Sequence, residues 1–388
     1  MTTLPGQLNP TPRLLLGPGP SDAHPRVLSA MATPLLGHLD PQFLQLMTET
    51  QQMLRQVYQT TNPLTFPVSA TGMAGMETCL VNLVEPGERV LVCAKGYFGG
   101  RMIDVAGRAG AEVGVLEVPW GQVFDLDQIR DRIRAFRPRV VGIVHAETST
   151  GAWQPLAELG RICHEHDALL IIDTVTSLGC VEVAIDAWEV DAVYSCSQKG
   201  LSCPPGLSPI SFSPRAVEKL TSRKSKVQSW YLDLTMVQSY WGSERAYHHT
   251  APITMIYALR EGLRLVLEEG LTARWQRHLH NHRALKAGLT ALGLHYIAPE
   301  GHQLPQLNAV RIPDGVDDLT IRKRLLTEFG IEIGGGLGEF KGKAWRIGLM
   351  GHNSRPSCVL QVLAALEHCL NQPGVGVAAA EAVYAQAA

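Results

Sequence analysis

The run Leu169-Leu170-Ile171-Ile172 carries no polar residue and ends in a carboxylate, Asp173. A strand that is apolar on both faces must be covered on both. A parallel sheet flanked by helices does that, and an antiparallel sheet with one wet face does not. The neighbouring chain keeps the matching rhythm. Strand-like runs over 89–93, 113–118 and 140–144 alternate with helical spacings over 102–109 and 126–136. This alternation predicts an α/β fold with a mostly parallel sheet and helices on both faces.

Asp191-Ala192-Val193-Tyr194 reads as a further buried strand and runs into Ser195-Cys196-Ser197-Gln198-Lys199-Gly200, with a rigid turn at Pro204-Pro205-Gly206. Lys199 therefore falls at or just past the carboxyl end of a strand. An ammonium is strongly hydrated and costly to bury. A buried lysine is best explained as an amine that reacts, most often as a Schiff base with a carbonyl cofactor. A lone lysine reads more plainly as a surface loop residue, and a lone Asp173 as a helix cap. Together they read differently. They are 199 − 173 = 26 residues apart, room for a crossover between neighbouring strands. Ligands of open α/β sheets bind outside the carboxyl ends of the strands. There a lysine can hold pyridoxal phosphate, and an acid can keep its ring nitrogen protonated so that the ring accepts electrons.

Further stretches extend the pattern: Gly17-Pro18-Gly19-Pro20, His145-Ala146-Glu147-Thr148-Ser149-Thr150-Gly151, Asp173-Thr174-Val175 and Ser197-Gln198-Lys199. Tyr247-His248-His249-Thr250, Gly335-Gly336-Leu337-Gly338 and Arg346-Ile347-Gly348 complete it. In their order and spacing, over about 330 residues, the chain resembles the class V, fold-type I aminotransferases of the alanine–glyoxylate / serine–glyoxylate (serine–pyruvate) branch.

The resemblance implies a seven-stranded type of large-domain sheet and a smaller α+β C-terminal lobe. We divide the chain into an N-terminal arm (1–20), a large cofactor-binding domain (21–269) and a small domain (270–388). It also implies pyridoxal 5'-phosphate as cofactor, with its phosphate on Thr71, Gly72 and Met73. A small-residue turn opening a helix suits a phosphate on its own physics, and an ordinary cap by Ser69 or Thr71 suits it equally. Many relatives carry histidine at Met73, so only backbone contacts are expected there. Phe98 is expected to stack on the ring, Val175 to pack on its other face, and Thr148 and Gln198 to lie beside the cofactor. Asp173 and Lys199 are the catalytic pair. Residues matching Tyr247 and Thr250 are expected to reach the cofactor phosphate of a second subunit, which makes a homodimer with shared sites. Arg346, on a strand between Trp345 and Ile347, is expected to clamp the substrate carboxylate, for which a guanidinium fork is suited. A structural salt bridge is the plainer role for such an arginine.

The expected reaction moves an amino group from alanine or serine to glyoxylate, giving glycine and pyruvate or hydroxypyruvate. A transaminase using 3-hydroxykynurenine or 2-aminoethylphosphonate, and a non-catalytic subunit of a complex, are the rivals. The second would show loss of the lysine, the aspartate or the arginine, and all three are present. The net charge of −2 gives no sign of a nucleic-acid or membrane partner. Eight scattered cysteines without a CxxC pair fit a reducing, cytoplasmic setting. The start lacks a secretory pattern and the end lacks a peroxisomal tripeptide. His278 and His282 share a helix face without an acidic or cysteine partner at ligand spacing, and no metal site is expected.

Overall fold

Seven strands build the central sheet: β1 (Leu64–Val68), β2 (Arg89–Ala94), β3 (Glu112–Glu117), β4 (Val140–Val144), β5 (Leu169–Asp173), β6 (Ala192–Tyr194) and β7 (Ser208–Phe212). The structure is a computed structural model and describes residues 4–386. Residues 1–3 and 387–388 lie outside the described residues, and the readings of the two chain ends fall there. The order across the sheet is β3-β2-β4-β5-β6-β7-β1. Only β7 runs against its neighbours, because the chain doubles back at Pro204-Pro205-Gly206. Every residue of β4 and β5 is buried, as their apolar runs demand. The large core lies between this sheet and its helices and includes Leu91, Val141, Ile171, Val193 and Ile210.

A second core gathers Leu16, Leu285, Trp345, Ile347, Val362 and Leu363. It forms where the helices Leu271–Ala291, Asp318–Phe329 and Pro356–Leu370 meet a three-stranded antiparallel sheet of Leu307–Arg311, Ala344–Gly348 and Gly334–Gly335. The glycine run 334–338 reads as a turn from its sequence. Instead, Gly334 and Gly335 pair with Arg346 and Trp345, and a 3-10 turn follows at Gly338–Phe340. Near the start of the chain, where no element is expected, Leu14–Leu15 pairs in parallel with Ile331–Glu332. Among the described residues no helix is long and apolar enough to cross a membrane.

Candidate active site

β5 lies between β4 and β6, with Val144 opposite Asp173 and Asp173 opposite Tyr194. Three strand ends and the loops leaving them therefore share one edge of the sheet. Asp173 is buried there. Its Oδ1 accepts the Val175 amide at 2.8 Å and its Oδ2 accepts the Tyr194 hydroxyl at 2.8 Å. Both donors are neutral, so burial prevails and pushes the carboxyl from 3.8 up to about 6.

That shift has a measurable consequence. Between the two values the folded, cofactor-free protein holds a proton that the unfolded chain has released. Stability from this group therefore falls as pH rises from 3.8 to about 6, and is level above that. The full effect is on the order of 3 kcal/mol. The stability difference between wild type and Asp173→Asn, from denaturant melts of cofactor-free protein, is expected to move against wild type across that window. A difference that stays constant from pH 4 to 7 would remove this account of Asp173.

Lys199 is buried on the loop after β6, and its Nζ donates to the Pro18 carbonyl. Ser21 fastens the same loop, its hydroxyl donating to the Lys199 carbonyl at 2.8 Å and its amide to the Gln198 carbonyl at 2.9 Å. The Gly17–Pro20 segment thus lies directly on the lysine. Gly19 has φ +111°, and an added Cβ would overlap Lys199 Cδ and Cε, so only glycine fits. Burial lowers the pKa of the lysine, the first requirement for a nucleophilic amine.

The helix Gly72–Leu83 starts beside this pair. A Cβ on Gly72 would lie 3.1 Å from Cys196 Cβ and 3.2 Å from a Val175 methyl. Its N-cap, Thr71, makes no side-chain capping bond, and the Ser69 hydroxyl is taken by His249 Nε2 at 2.8 Å. Neither hydroxyl is the ordinary cap, and Met73 is half-buried in the first turn. Gln198 Oε1 is buried with no partner among the described residues.

Arg346 is 7% exposed and arrives from the smaller sheet. Its Nε donates to the Gly335 carbonyl at 2.8 Å and its Nη1 to the Thr148 carbonyl at 3.4 Å. Both acceptors are backbone groups, so no structural salt bridge holds it among the described residues. Burial lowers its pKa to about 10, partly offset by the negative charge of Glu147, and it remains a cation at neutral pH. The Thr148 hydroxyl meets that of Thr176 at 2.5 Å.

Phe98 sits half-buried in the first turn of the helix Tyr97–Arg108, which begins five residues before the sequence spacing suggests. The Arg101 guanidinium stands 5.5 Å from its ring centroid. Tyr247 and Thr250 are exposed, so the chain does not fold them onto its own lysine. His278 and His282 are engaged, the first with the Arg274 carbonyl and the Gly351 amide, the second with the Asn308 side chain. Sequence reasoning missed Tyr194, Pro18 and Glu147. Tyr194 becomes visible only once β5 and β6 are known to be neighbours, whereas a buried glutamate amid hydroxyls after an apolar strand was a signal available in the sequence.

Residues 16–339 match the family model described as aminotransferase class-V. The chain is 41% identical to the (S)-ureidoglycine–glyoxylate transaminase of Bacillus subtilis (strain 168), covering 96% of this chain and 94% of that protein. It is 40% identical to the alanine–glyoxylate aminotransferase of Drosophila melanogaster, covering 94% of each. A solved alanine–glyoxylate aminotransferase from Nostoc sp. is 54% identical and superimposes with a TM-score of 0.94, covering 95% of this chain and 98% of that one.

Proposed function

The chain belongs to the class-V aminotransferases, a family that is pyridoxal phosphate-dependent in general and acts on small amino and keto acids, and we propose that it transfers an amino group from alanine or serine to glyoxylate. The observation that carries this reading is the meeting of Lys199, Asp173 and Arg346 at one edge of the sheet, the arginine with no carboxylate bonded to it among the described residues. Glyoxylate as acceptor is supported by the relatives above, whose names all include it. A second donor, ureidoglycine, is favoured by the Bacillus relative alone.

The residues present fit pyridoxal phosphate. Thr71 and Gly72 open a helix whose cap leaves its amides available to an anion, and the Gln198 side-chain amide has an N–H to donate to one. We assign the phosphate to Thr71, Gly72, Met73 and Gln198, the ring faces to Phe98 and Val175, and the ring's polar edge to Thr148. When bound, the cofactor supplies an aldehyde that condenses with amines and a ring that accepts electrons.

The remaining work belongs to the chain. Asp173, anionic against the protonated ring nitrogen, holds that proton in place. Arg346 binds the carboxylate of donor and acceptor in turn, fixing the α-carbon over Lys199. Lys199 Nζ, its pKa lowered by burial so that the neutral amine is favoured, takes the α-proton and returns it. Tyr247, 63% exposed, and Thr250 are assigned to the site of a second copy, so the working form is a homodimer. The cysteines described are all free and buried, which supports a cytoplasmic setting.

A donor screen on purified protein with pyridoxal phosphate and glyoxylate tests the reading. Alanine or serine is expected to yield glycine with stoichiometric pyruvate or hydroxypyruvate. Glycine formed from ureidoglycine alone would move the donor to the second reading, and glycine from none of them would end the proposal.

A further inference from the structure

Glu147 is fully buried at the end of a short hairpin strand, Ala146–Glu147, and among the described residues none of its hydrogen bonds is to a cation. Its Oε1 accepts the Ser149 hydroxyl at 2.6 Å, the Ser149 amide at 3.2 Å and the Phe98 amide at 3.4 Å, while Oε2 accepts the Gly99 amide at 3.4 Å. Ser149 Oγ in turn accepts the Tyr97 amide at 3.0 Å. The helix Tyr97–Arg108 has no cap of its own, since Gly96 at its N-cap has no side chain to offer. Its first three amides are instead capped by Glu147 and Ser149, from a segment about fifty residues away. Gly96 is required by that arrangement, because an added Cβ would meet Glu147 Cγ and Ser149 Oγ at 2.5 Å.

Burying a carboxylate without a cation bonded to it is costly. A local serine or aspartate at the N-cap would satisfy these amides more cheaply, so capping alone does not account for Glu147. The position does. The capped turn carries Phe98. The next residue, Thr148, gives its carbonyl to Arg346. The carboxylate also lies close enough to influence Lys95, Asp173 and Arg346 by its charge. One buried carboxylate therefore ties the ring-stacking residue to the substrate clamp.

We infer that Glu147 is a positioning residue that sets the Phe98 ring against the cofactor by bonding the amides of Phe98 and Gly99. The inference rests on the cofactor reading above. It makes Glu147 and Phe98 one unit, and residues that act as one unit are not additive when altered. In Glu147→Gln the amide nitrogen faces backbone donors and one cap is lost.

The test is a double-mutant cycle on pyridoxal phosphate affinity, measured by titrating resolved enzyme and following protein fluorescence. Glu147→Gln and Phe98→Leu are each expected to raise the dissociation constant about 10- to 100-fold. The double variant should stay within about threefold of the worse single one. Losses that multiply, or a lowered Tm with unchanged affinity, would overturn the inference and reduce Glu147 to a scaffold residue. Should Glu147→Gln fail to fold, Glu147→Asp replaces it in the cycle, because the shorter side chain withdraws from the Phe98 and Gly99 amides while staying a carboxylate. Wild-type protein that takes up no pyridoxal phosphate would sink the proposed function as well. Normal uptake with multiplied losses would sink only this inference.

Discussion

Replacing Lys199 by alanine is expected to lower turnover on the order of 10⁴-fold, the range over which a positioned acid–base group contributes. Folding should survive, for three reasons. The substitution removes a buried amine held by a single backbone carbonyl, that of Pro18. The loop remains fastened by Ser21 through the Gln198 and Lys199 carbonyls. Gly19 loses a crowding neighbour rather than a support. The Tm should therefore hold or rise while catalysis collapses. A small diffusible amine such as methylamine should restore part of the rate in Lys199→Ala, because the missing function is a proton-carrying nitrogen. It should do nothing for the wild type. Activity within tenfold of wild type in the variant, without added amine, would remove Lys199 from the mechanism.

How far the sequence discloses such a site depends on what each residue needs in order to be recognised. Asp173 and Lys199 are legible because a carboxylate after an apolar strand and a lysine among small residues are both expensive to bury. The α/β class is legible for a related reason: β4 and β5 are apolar on both faces. β7 is hidden by Pro209 at its second position, a residue that argues against a central strand. β1 is hidden in the same way by Pro67, and the two prolines turn out to face one another in register. The start of the helix at Tyr97 is obscured because its cap comes from Glu147 and Ser149, distant in sequence, and no local cap announces it. The strand character of Gly334–Gly335 is obscured because glycine there reflects close packing. Pro18 and the Arg322 guanidinium occupy the space that side chains would fill. Local chemistry makes a residue legible in the sequence, and a role defined by contacts across the fold, such as that of Tyr194 against Asp173, does not show there.

The roles of Arg346 can be separated by a choice of substrates. Arg346→Ala is expected to raise KM for alanine and glyoxylate about 10²- to 10³-fold, the effect of removing one partner from a desolvated, charge-assisted pair. The structure strengthens this expectation, since among the described residues the guanidinium bonds only to the carbonyls of Gly335 and Thr148. Among the described residues no carboxylate is bonded to it, and its outer nitrogens are the ones a bidentate ligand needs. Arg346→Lys should recover little. An ammonium is a point charge without the fork, and in the same buried position its pKa would fall further than that of arginine. A structural role and a clamp differ in how they treat an amine donor that lacks a carboxylate. If Arg346 holds only the Ala344–Gly348 strand against Gly334–Gly335, ethylamine and alanine should suffer equally in the variant. If it is the clamp, the preference for alanine over ethylamine should shrink by the same 10²- to 10³-fold, because ethylamine never used the contact. An unchanged preference, with both rates depressed, would return Arg346 to the packing of the smaller sheet.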